Sequence, residues 1–265
     1  MSEADKVFSG SIPENYDRHM VPLIFESYAR DMAQRIAALA PKTVLETAAG
    51  SGVVTRALAP LLSPDASYVV TDLNQPMLDY AQAKQGTDSR IRWQKVDAQA
   101  LPFEDATFDV VCCQFGAMFF PDRPSGYREA KRVLKPGGCF LFNVWDRIEE
   151  NVFADDVTNA LAEFFPNDPP RFMARTPHGY HDTALIRSDL AKAGFTDVTI
   201  ETRAAQSRAP SQRYVALAYC QGTPLRNEIE SRGNLEAATD HAASASLACQ
   251  STVIVSGPGR SPSWR

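Results

Sequence analysis

The sequence predicts a doubly wound α/β sheet. Three observations point to it. Short strands alternate with helical stretches from Thr43 to Val144, several of those strands are apolar on both sides, and a turn of small residues, Ala48-Ala49-Gly50-Ser51-Gly52, follows the first of them. Alternation implies crossover connections and so parallel strands. Strands that are apolar on both faces imply helices packed above and below.

The elements follow in order. Pro22 to Leu39 has apolar residues at helical spacing, including Phe25, Met32, Ile36 and Leu39, and Pro41 ends it. Thr43 to Glu46 reads as a short buried strand. After the small-residue turn, Val53, Val54, Ala57, Leu58 and Leu61 give the next helix one apolar face. Ser67 to Thr71 is a second strand that ends at Asp72. Asn74 is placed to cap a helix running to about Lys84, with Pro76 in the first turn, where a missing N–H is harmless. Ile91 to Val96 and Phe108 to Cys113 are the third and fourth strands. A helix from about Pro124 to Leu134 then leads through Pro136-Gly137-Gly138 into a fifth strand, Cys139 to Val144.

Beyond Asp146 the alternation loosens. Helices are predicted over Asn151–Phe165, from an Asp182 cap through Leu190, over Tyr214–Glu230 with a break near Gly222 and Pro224, and over Leu235–Leu247. Thr196 to Thr202 alternates with period two, and Val253 to Val255 is a candidate last strand. There are no repeats and no clean domain boundary, so residues 1–265 read as one domain: residues 1–40 an N-terminal cap and helix, 43–145 a binding core, and 146–265 a substrate-side half.

Composition narrows the function. Hydrophobic residues make up 44% and charged residues 22%, ordinary values for a globular protein with a core. The first ten residues lack an apolar leader segment, and no apolar run reaches the roughly 18 residues needed to span a bilayer, so a cytoplasmic location without a membrane span is expected. The net charge of -5, with no Lys/Arg cluster, speaks against a nucleic-acid partner. The five cysteines form no C-x-x-C pair, so no metal site is expected and they read as core thiols. Cys112 and Cys113, adjacent on a strand, should face opposite sides.

In a doubly wound sheet a ligand sits at the carboxyl ends of the strands. Small residues after Glu46 let it touch the backbone. Asp72, at the end of the second strand, is where a carboxylate can accept hydrogen bonds from two ribose hydroxyls. A dinucleotide fingerprint would need a third glycine where Thr55 stands. An acid at Glu46 suits a cationic ammonium better than a pyrophosphate.

With those residues in view, Val44-Leu45-Glu46-Thr47-Ala48-Ala49-Gly50-Ser51-Gly52 resembles the first motif of the class I S-adenosylmethionine-dependent methyltransferases. Thr71 to Leu78, Val96 to Phe103, Phe108 to Val111 and Arg132 to Gly138 resemble later motifs, in order, of the ubiquinone/menaquinone-biosynthesis-type (methyltransferase type 11) branch. Ile12 to Arg18 is similar to the front segment of small bacterial members. The resemblance implies a Rossmann-like sheet of seven strands with the last antiparallel, S-adenosyl-L-methionine as cofactor, and methyl transfer to a small-molecule acceptor. It also implies roles. Glu46 would hold the methionine ammonium, and the backbone of Thr47, Ala48, Ala49, Gly50, Ser51 and Gly52 would approach the methionine and ribose. Asp72 would bind the ribose, and Leu73 would pack on the adenine with Met77 in the same site. Asp97 and the Ala98 N–H would meet the adenine edge, and Gln114 and Phe115 would lie near the cofactor and the substrate mouth. Ala48 departs from the motif, which has glycine there.

Methyl transfer needs a general base only if the nucleophile is protonated at rest. Tyr16, Asp17 and His19, in a loop-like front segment, are catalytic candidates that read first as N-terminal packing and capping. His178 and His181 read first as loop residues beside the Asp182 cap, and Phe115, Phe119, Phe120, Phe164 and Phe165 as core aromatics. The Gln114-Phe115-Gly116-Ala117 run lacks the Asn/Asp-Pro-Pro-aromatic signature of amino-methylating nucleic-acid enzymes. Two alternatives stay open: a non-catalytic protein of this fold that binds S-adenosylmethionine or S-adenosylhomocysteine, and a nicotinamide-dependent oxidoreductase.

Overall fold

The structure is a computed structural model that describes residue 8, residues 10–244 and the backbone of residues 251–257. Five parallel strands form its centre: β1 (Thr43–Glu46), β2 (Ser67–Asp72), β3 (Ile91–Lys95), β4 (Phe108–Gln114) and β5 (Leu134–Trp145). Their spatial order is β3-β2-β1-β4-β5, and all four pairings are parallel. The order reverses at β1, which places a crevice at the carboxyl ends of β1 and β4.

Residue chemistry explains the stacking. Val44, Leu45, Val110, Val111, Cys112 and Cys113 are all essentially inaccessible, as strands covered on both faces must be. Cys112 joins the apolar cluster on one side of the sheet and Cys113 the cluster on the other, as the alternation of a strand requires. At the opposite, amino end, Asp109 ties β1 to β4. Its Oδ2 accepts from the N–H groups of Lys42 (2.9 Å) and Thr43 (2.8 Å), and Lys135 donates to Oδ1 at 2.8 Å. Those bonds outweigh partial burial and hold the carboxyl down at about 2.

Helices cover both faces: α1 (Ile12–Asn15), α2 (Glu26–Ala38), α3 (Val53–Leu58), α4 (Gln75–Gln85), α5 (Arg123–Val133), α6 (Val152–Phe164), α7 (Phe172–Arg175), α8 (Thr183–Lys192), α9 (Gln212–Gly222), α10 (Leu225–Glu230) and α11 (Leu235–Ser244). Two further strands, β6 (Thr199–Ala205) and β7 (Ser251–Gly257), come late in the chain. The predicted helix over Leu235–Leu247 is described as far as Ser244, and Ala245 to Leu247, Cys249 and the tail from Pro258 lie outside the described residues. Among the described residues no helix is long and apolar enough to cross a membrane.

The front of the chain differs from its loop-like reading. Helix begins at Ile12, and Tyr16–Phe25 is π-helical, joining α1 to α2 without a break. Pro22 supplies a reason. It has no N–H to donate, and its ring would strike the carbonyl four residues back, so the turn widens instead of breaking. The Glu26 N–H accordingly donates to Val21, five residues earlier. The widened turns bury Met20, Val21, Leu23, Ile24 and Phe25, and α9 packs against them. β5 also begins earlier than its reading, at Leu134. Leu134 pairs with Phe108, and an irregularity carries Pro136-Gly137-Gly138 along inside the strand.

Candidate functional site

A cleft opens at the carboxyl ends of β1, β2 and β4, with the front helical segment along one side. Its floor is the turn after β1. The Thr47 N–H donates to Cys112 O at 2.9 Å and the Ala49 N–H to Thr71 O at 2.9 Å, so the turn is stitched to both neighbouring strands. Ala48, Gly50 and Gly52 all have positive φ, at 52°, 58° and 79°. At Gly52 a Cβ would come within 2.9 Å of the Ala81 Cβ on α4, so glycine is required both by φ and by close packing. Across the cleft, a Cβ on Gly116 would collide with Ala48 Cβ and with Cys113 Sγ.

Asp72 is the polar centre. It is 6% exposed, and its two oxygens hold two backbone donors: Oδ2 accepts from the Gly50 N–H at 2.8 Å and Oδ1 from the Asn74 N–H at 2.7 Å. Burial pushes its carboxyl above the ordinary value, and those hydrogen bonds oppose the rise. The predicted Asn74 cap is therefore corrected. The Asn74 side chain makes no capping bond, and its Oδ1 instead accepts from the Phe8 N–H at 3.4 Å. Its Nδ2 donates to Asp72 Oδ1 at 3.4 Å, so the main chain and the amide of Asn74 are both tied to Asp72 while its Oδ1 meets the front segment.

Glu46 lies behind the turn. Its Oε2 accepts from Thr55 Oγ1 at 2.7 Å and from the Tyr68 hydroxyl, and burial pushes the carboxyl up to about 7. Glu46, Thr47 and Gly52 do not line the cleft. Of the other predicted positions, Ala48, Ala49, Gly50 and Ser51 line it from the turn, Asp72, Leu73 and Met77 from β2 and α4, Asp97 and Ala98 from beyond β3, and Gln114 and Phe115 from β4. Tyr16 reaches it from the front segment, but His19 does not. The His19 ring packs edge-on against Tyr214 at 4.9 Å.

The sequence reading missed Phe8, Phe25, Asn74, Gln99 and Gly116, which also line the cleft. Gly116 had a signal, a glycine two residues past the end of an apolar strand. Phe25 was recognised only as one apolar position of a helix, since periodicity marks the buried face and not what that face meets.

Two side chains in the cleft are unpaired. Both amide atoms of Gln114 and the hydroxyl of Ser51 are buried and have no partner among the described residues. Buried polar groups are normally satisfied, so these await a polar ligand. Leu73, at the rim, is 43% exposed, an apolar surface that a ligand would cover.

A second cavity adjoins the first and shares Phe8, Tyr16, Phe25, Phe115 and Phe119 with it. This chamber is walled mainly by aromatic and methionine side chains. Phe115 takes φ +54°, a left-handed conformation uncommon outside glycine, and its ring stacks on Trp145 at 4.1 Å.

Comparison with known proteins fits this architecture. Residues 45–142 match a family described as a methyltransferase domain. The ubiquinone/menaquinone biosynthesis C-methyltransferase UbiE of Ectopseudomonas mendocina (strain ymp) is 29% identical over 168 residues, which covers 59% of this chain and 66% of that relative. The chain thus spans just under two thirds of that relative's length. UbiE of Escherichia coli O1:K1 / APEC is 28% identical over 169 residues, 59% of this chain and 67% of the relative. Among solved structures, BH2331 of Bacillus halodurans C-125, provisionally described as a methyltransferase, superposes with a TM-score of 0.59. It is 21% identical, and the alignment covers 88% of this chain and 99% of that one, a likeness of fold.

Proposed function

We propose that the chain is a class I S-adenosylmethionine-dependent methyltransferase, a reading supported by the methyltransferase-domain match over residues 45–142 and the likeness to UbiE, and that it binds S-adenosylmethionine in the cleft and methylates a small molecule held in the adjoining chamber. The observation that carries this is the shared wall. One cavity is lined by backbone and unpaired polar groups, the other by apolar rings, and Tyr16, Phe25, Phe115 and Phe119 belong to both.

The residues fit the donor. A carboxylate has about four acceptor sites; the N–H and the amide of Asn74 occupy Asp72 Oδ1 and the Gly50 N–H takes one site on Oδ2, so Oδ2 keeps a site for a ribose hydroxyl, and a second hydroxyl would compete with the long 3.4 Å bond from the Asn74 amide. Leu73, Met77 and Ala98 offer apolar contact to a purine. Asp97, whose Oδ1 is held by the Gln99 N–H at 2.9 Å, would accept from its amino group. Gln114 and Ser51 would take the amino-acid end, and Glu46 would act on the ammonium through the turn. Bound there, S-adenosylmethionine supplies a methyl group already activated by its sulfonium. What the chain adds is alignment, worth on the order of 7–11 kcal/mol when reacting atoms are well oriented. Tyr16 closes the junction between the cavities.

We also propose that β7 completes a seven-stranded sheet as its antiparallel member. Pairing of Phe142 with Ser256 on one side, and of Ile200 with Ser256 on the other, supports this reading.

Calorimetric titration tests the assignment. S-adenosylmethionine and S-adenosylhomocysteine should bind, and NAD and NADP should not compete. Nicotinamide binding without S-adenosylmethionine binding would overturn it. Transfer of label from the methyl donor to a metabolite extract separates an enzyme from a protein that only binds the cofactor.

A further inference from the structure

We propose that the apolar chamber binds a flat, largely apolar acceptor carrying a weakly acidic hydroxyl, and that His178 receives the hydroxyl proton as the oxygen is methylated. The inference rests on the reading of the cleft as the donor site.

The walls define the shape. Phe25, Phe115, Trp145 and Phe172 present ring faces and edges, with Met20 and Met173 beside them. Such surfaces favour a planar apolar guest, and a few fixed polar groups then set its orientation.

Most polar groups in the chamber are already engaged. Asn151 donates its amide to the carbonyls of Asp146 (3.2 Å) and Arg147 (3.0 Å). Thr223 Oγ1 donates to Tyr219 O at 2.7 Å and accepts from the Leu225 N–H at 3.2 Å. The Tyr16 and Tyr219 hydroxyls are phenols held protonated by burial, which suits them to donate.

His178 is different. Its Nδ1 lies 2.8 Å from the Asp146 carbonyl oxygen. A carbonyl can only accept, so Nδ1 carries the hydrogen and Nε2 carries the lone pair. The residue is 4% exposed and lines the chamber, and no partner for Nε2 occurs among the described residues. The loop that carries it is fixed: the His178 N–H donates to Met173 O at 3.0 Å, and His181 Nδ1 lies 2.9 Å from His178 O. Burial holds the imidazole at about 4, so it is neutral near pH 7 and ready to accept.

So weak a base does not strip a phenol at rest, whose ordinary pKa is about 10. It accepts a hydrogen bond from the hydroxyl. During transfer an oxygen lone pair forms the new O–C bond, the C–S bond breaks with its electron pair left on sulfur, and the oxygen becomes strongly acidic. Its proton then passes to His178 Nε2. The single positive charge moves from sulfonium to imidazolium, and the ring, held below neutrality, afterwards releases the proton to water.

The test uses the full chain and two variants. His178→Asn keeps a donor for the Asp146 carbonyl and loses Nε2, while His178→Gln restores an acceptor farther out. Binding of 2-naphthol and of 2-methoxynaphthalene, which has no proton to give, is measured by fluorescence on protein saturated with S-adenosylhomocysteine. The parent should prefer 2-naphthol by about tenfold, the worth of one hydrogen bond. His178→Asn should abolish that preference and leave S-adenosylhomocysteine affinity and the melting temperature near those of the parent. Turnover of 2-naphthol to its methyl ether should fall by about a hundredfold or more in His178→Asn, the range of general-base catalysis, with partial recovery in His178→Gln. Turnover of 4-nitrophenol, which ionises without help, should fall much less. A parent that binds S-adenosylhomocysteine but shows no preference for 2-naphthol, or a variant that slows both acceptors equally, overturns the role of His178. A parent that does not bind S-adenosylhomocysteine overturns the donor site as well.

Discussion

The cleft and the chamber share a wall but are built by different means. Main chain shapes the cleft: the turn after β1 is stitched to β2 and β4, three of its residues sit at positive φ, and Asp72 grips the N–H groups of Gly50 and Asn74. Side chains shape the chamber, and they come from the π-helical segment, the ends of β4 and β5, the segment from Phe172 to His178, and α9. A backbone-built site is fixed by a few short local patterns. A side-chain-built site depends on which helices and strand ends meet, so residues distant in the chain must converge to form it. On this reading the cleft sets the donor and the chamber sets the acceptor.

The largest expected effect on that division comes from Asp72→Ala. The carboxylate should matter twice, to the ligand and to the turn. Loss of a charged acceptor for the ribose, worth roughly 1.5–3 kcal/mol per bond, should weaken S-adenosylmethionine binding about tenfold to a hundredfold. The Gly50 and Asn74 N–H groups would also lose their partner, and an unmet buried donor costs about 1–3 kcal/mol, so the melting temperature should fall too. Reading Asp72 as free of structural duty, with Asn74 as the cap, leads to little change in stability, and the observed bonds reverse that expectation. Calorimetry and a melting curve on both proteins check it. Undiminished affinity would remove Asp72 from the binding site and leave the cleft with no polar centre.

The next effect concerns Glu46, behind the cleft. Its folded-state pKa of about 7 lies above the ordinary 4.5 because burial penalises the charged form more than Tyr68 and Thr55 relieve it. The folded state therefore holds a proton that the unfolded state releases. The resulting stabilisation is fully present below pH 4.5 and is lost as pH rises through 7, a swing of about 3 kcal/mol at most. Glu46→Gln mimics the protonated form. Urea midpoints should coincide for parent and variant near pH 4.5, and the variant should be the more stable at pH 8. A parent curve as flat as the variant's between these values would show that the carboxyl is not raised.

The same division explains what could be read in the sequence. Thr43 to Val144 was legible because parallel strands buried on both faces leave near-continuous apolar runs, and because the Ala48–Gly52 turn and Asp72 are local patterns. Where the reading failed, a neighbour had intervened. Asn74 follows Asp72 closely enough for Asp72 to take its N–H, and Pro22, read as the start of a helix, lies inside one whose turn it widens. Of the chamber, only Tyr16 and Phe115 were marked as lying near a site, and the enclosure itself was not legible. Phe25, Trp145, Phe172 and His178 are far apart in the chain, and nothing in their spacing shows that they meet. His178 reads as a loop residue until the Asp146 carbonyl behind it is seen.

Tyr16, on the wall between the two cavities, should give a smaller effect that separates binding from turnover. Its ring stacks on Phe25 at 5.0 Å, so Tyr16→Phe keeps the packing and removes only the hydroxyl. One neutral hydrogen bond is worth about 0.5–1.5 kcal/mol, so turnover should drop roughly twofold to tenfold, while S-adenosylhomocysteine affinity stays within about twofold of the parent's. Steady-state rates on the true acceptor, measured beside calorimetry, distinguish the two. Equal turnover would place the Tyr16 hydroxyl outside the reaction.

The smallest expected effect is at Ala48, and it tests whether backbone shape alone governs the cleft. Ala48 sits at φ +52°, where the resembled motif has glycine. A left-handed conformation costs an alanine roughly 1–2 kcal/mol, and glycine adopts it freely. Glycine also gains freedom in the unfolded chain, which returns about 0.4–1 kcal/mol of that benefit. Ala48→Gly should therefore stabilise the protein by about 1 kcal/mol or less, read as a small rise in melting temperature. The Ala48 Cβ lies where a Cβ on Gly116 would strike it, so the methyl fills the gap that Gly116 leaves between the two sides of the cleft. If that contact matters more than the strained φ, the variant should instead lose stability and the ligand should bind more loosely. A variant slightly more stable, with cofactor affinity unchanged within about twofold, would mean that the turn's conformation shapes the cleft and the methyl is only tolerated. A clear loss of both would mean that even here a side chain sets the fit, and the contrast between cleft and chamber would be one of degree.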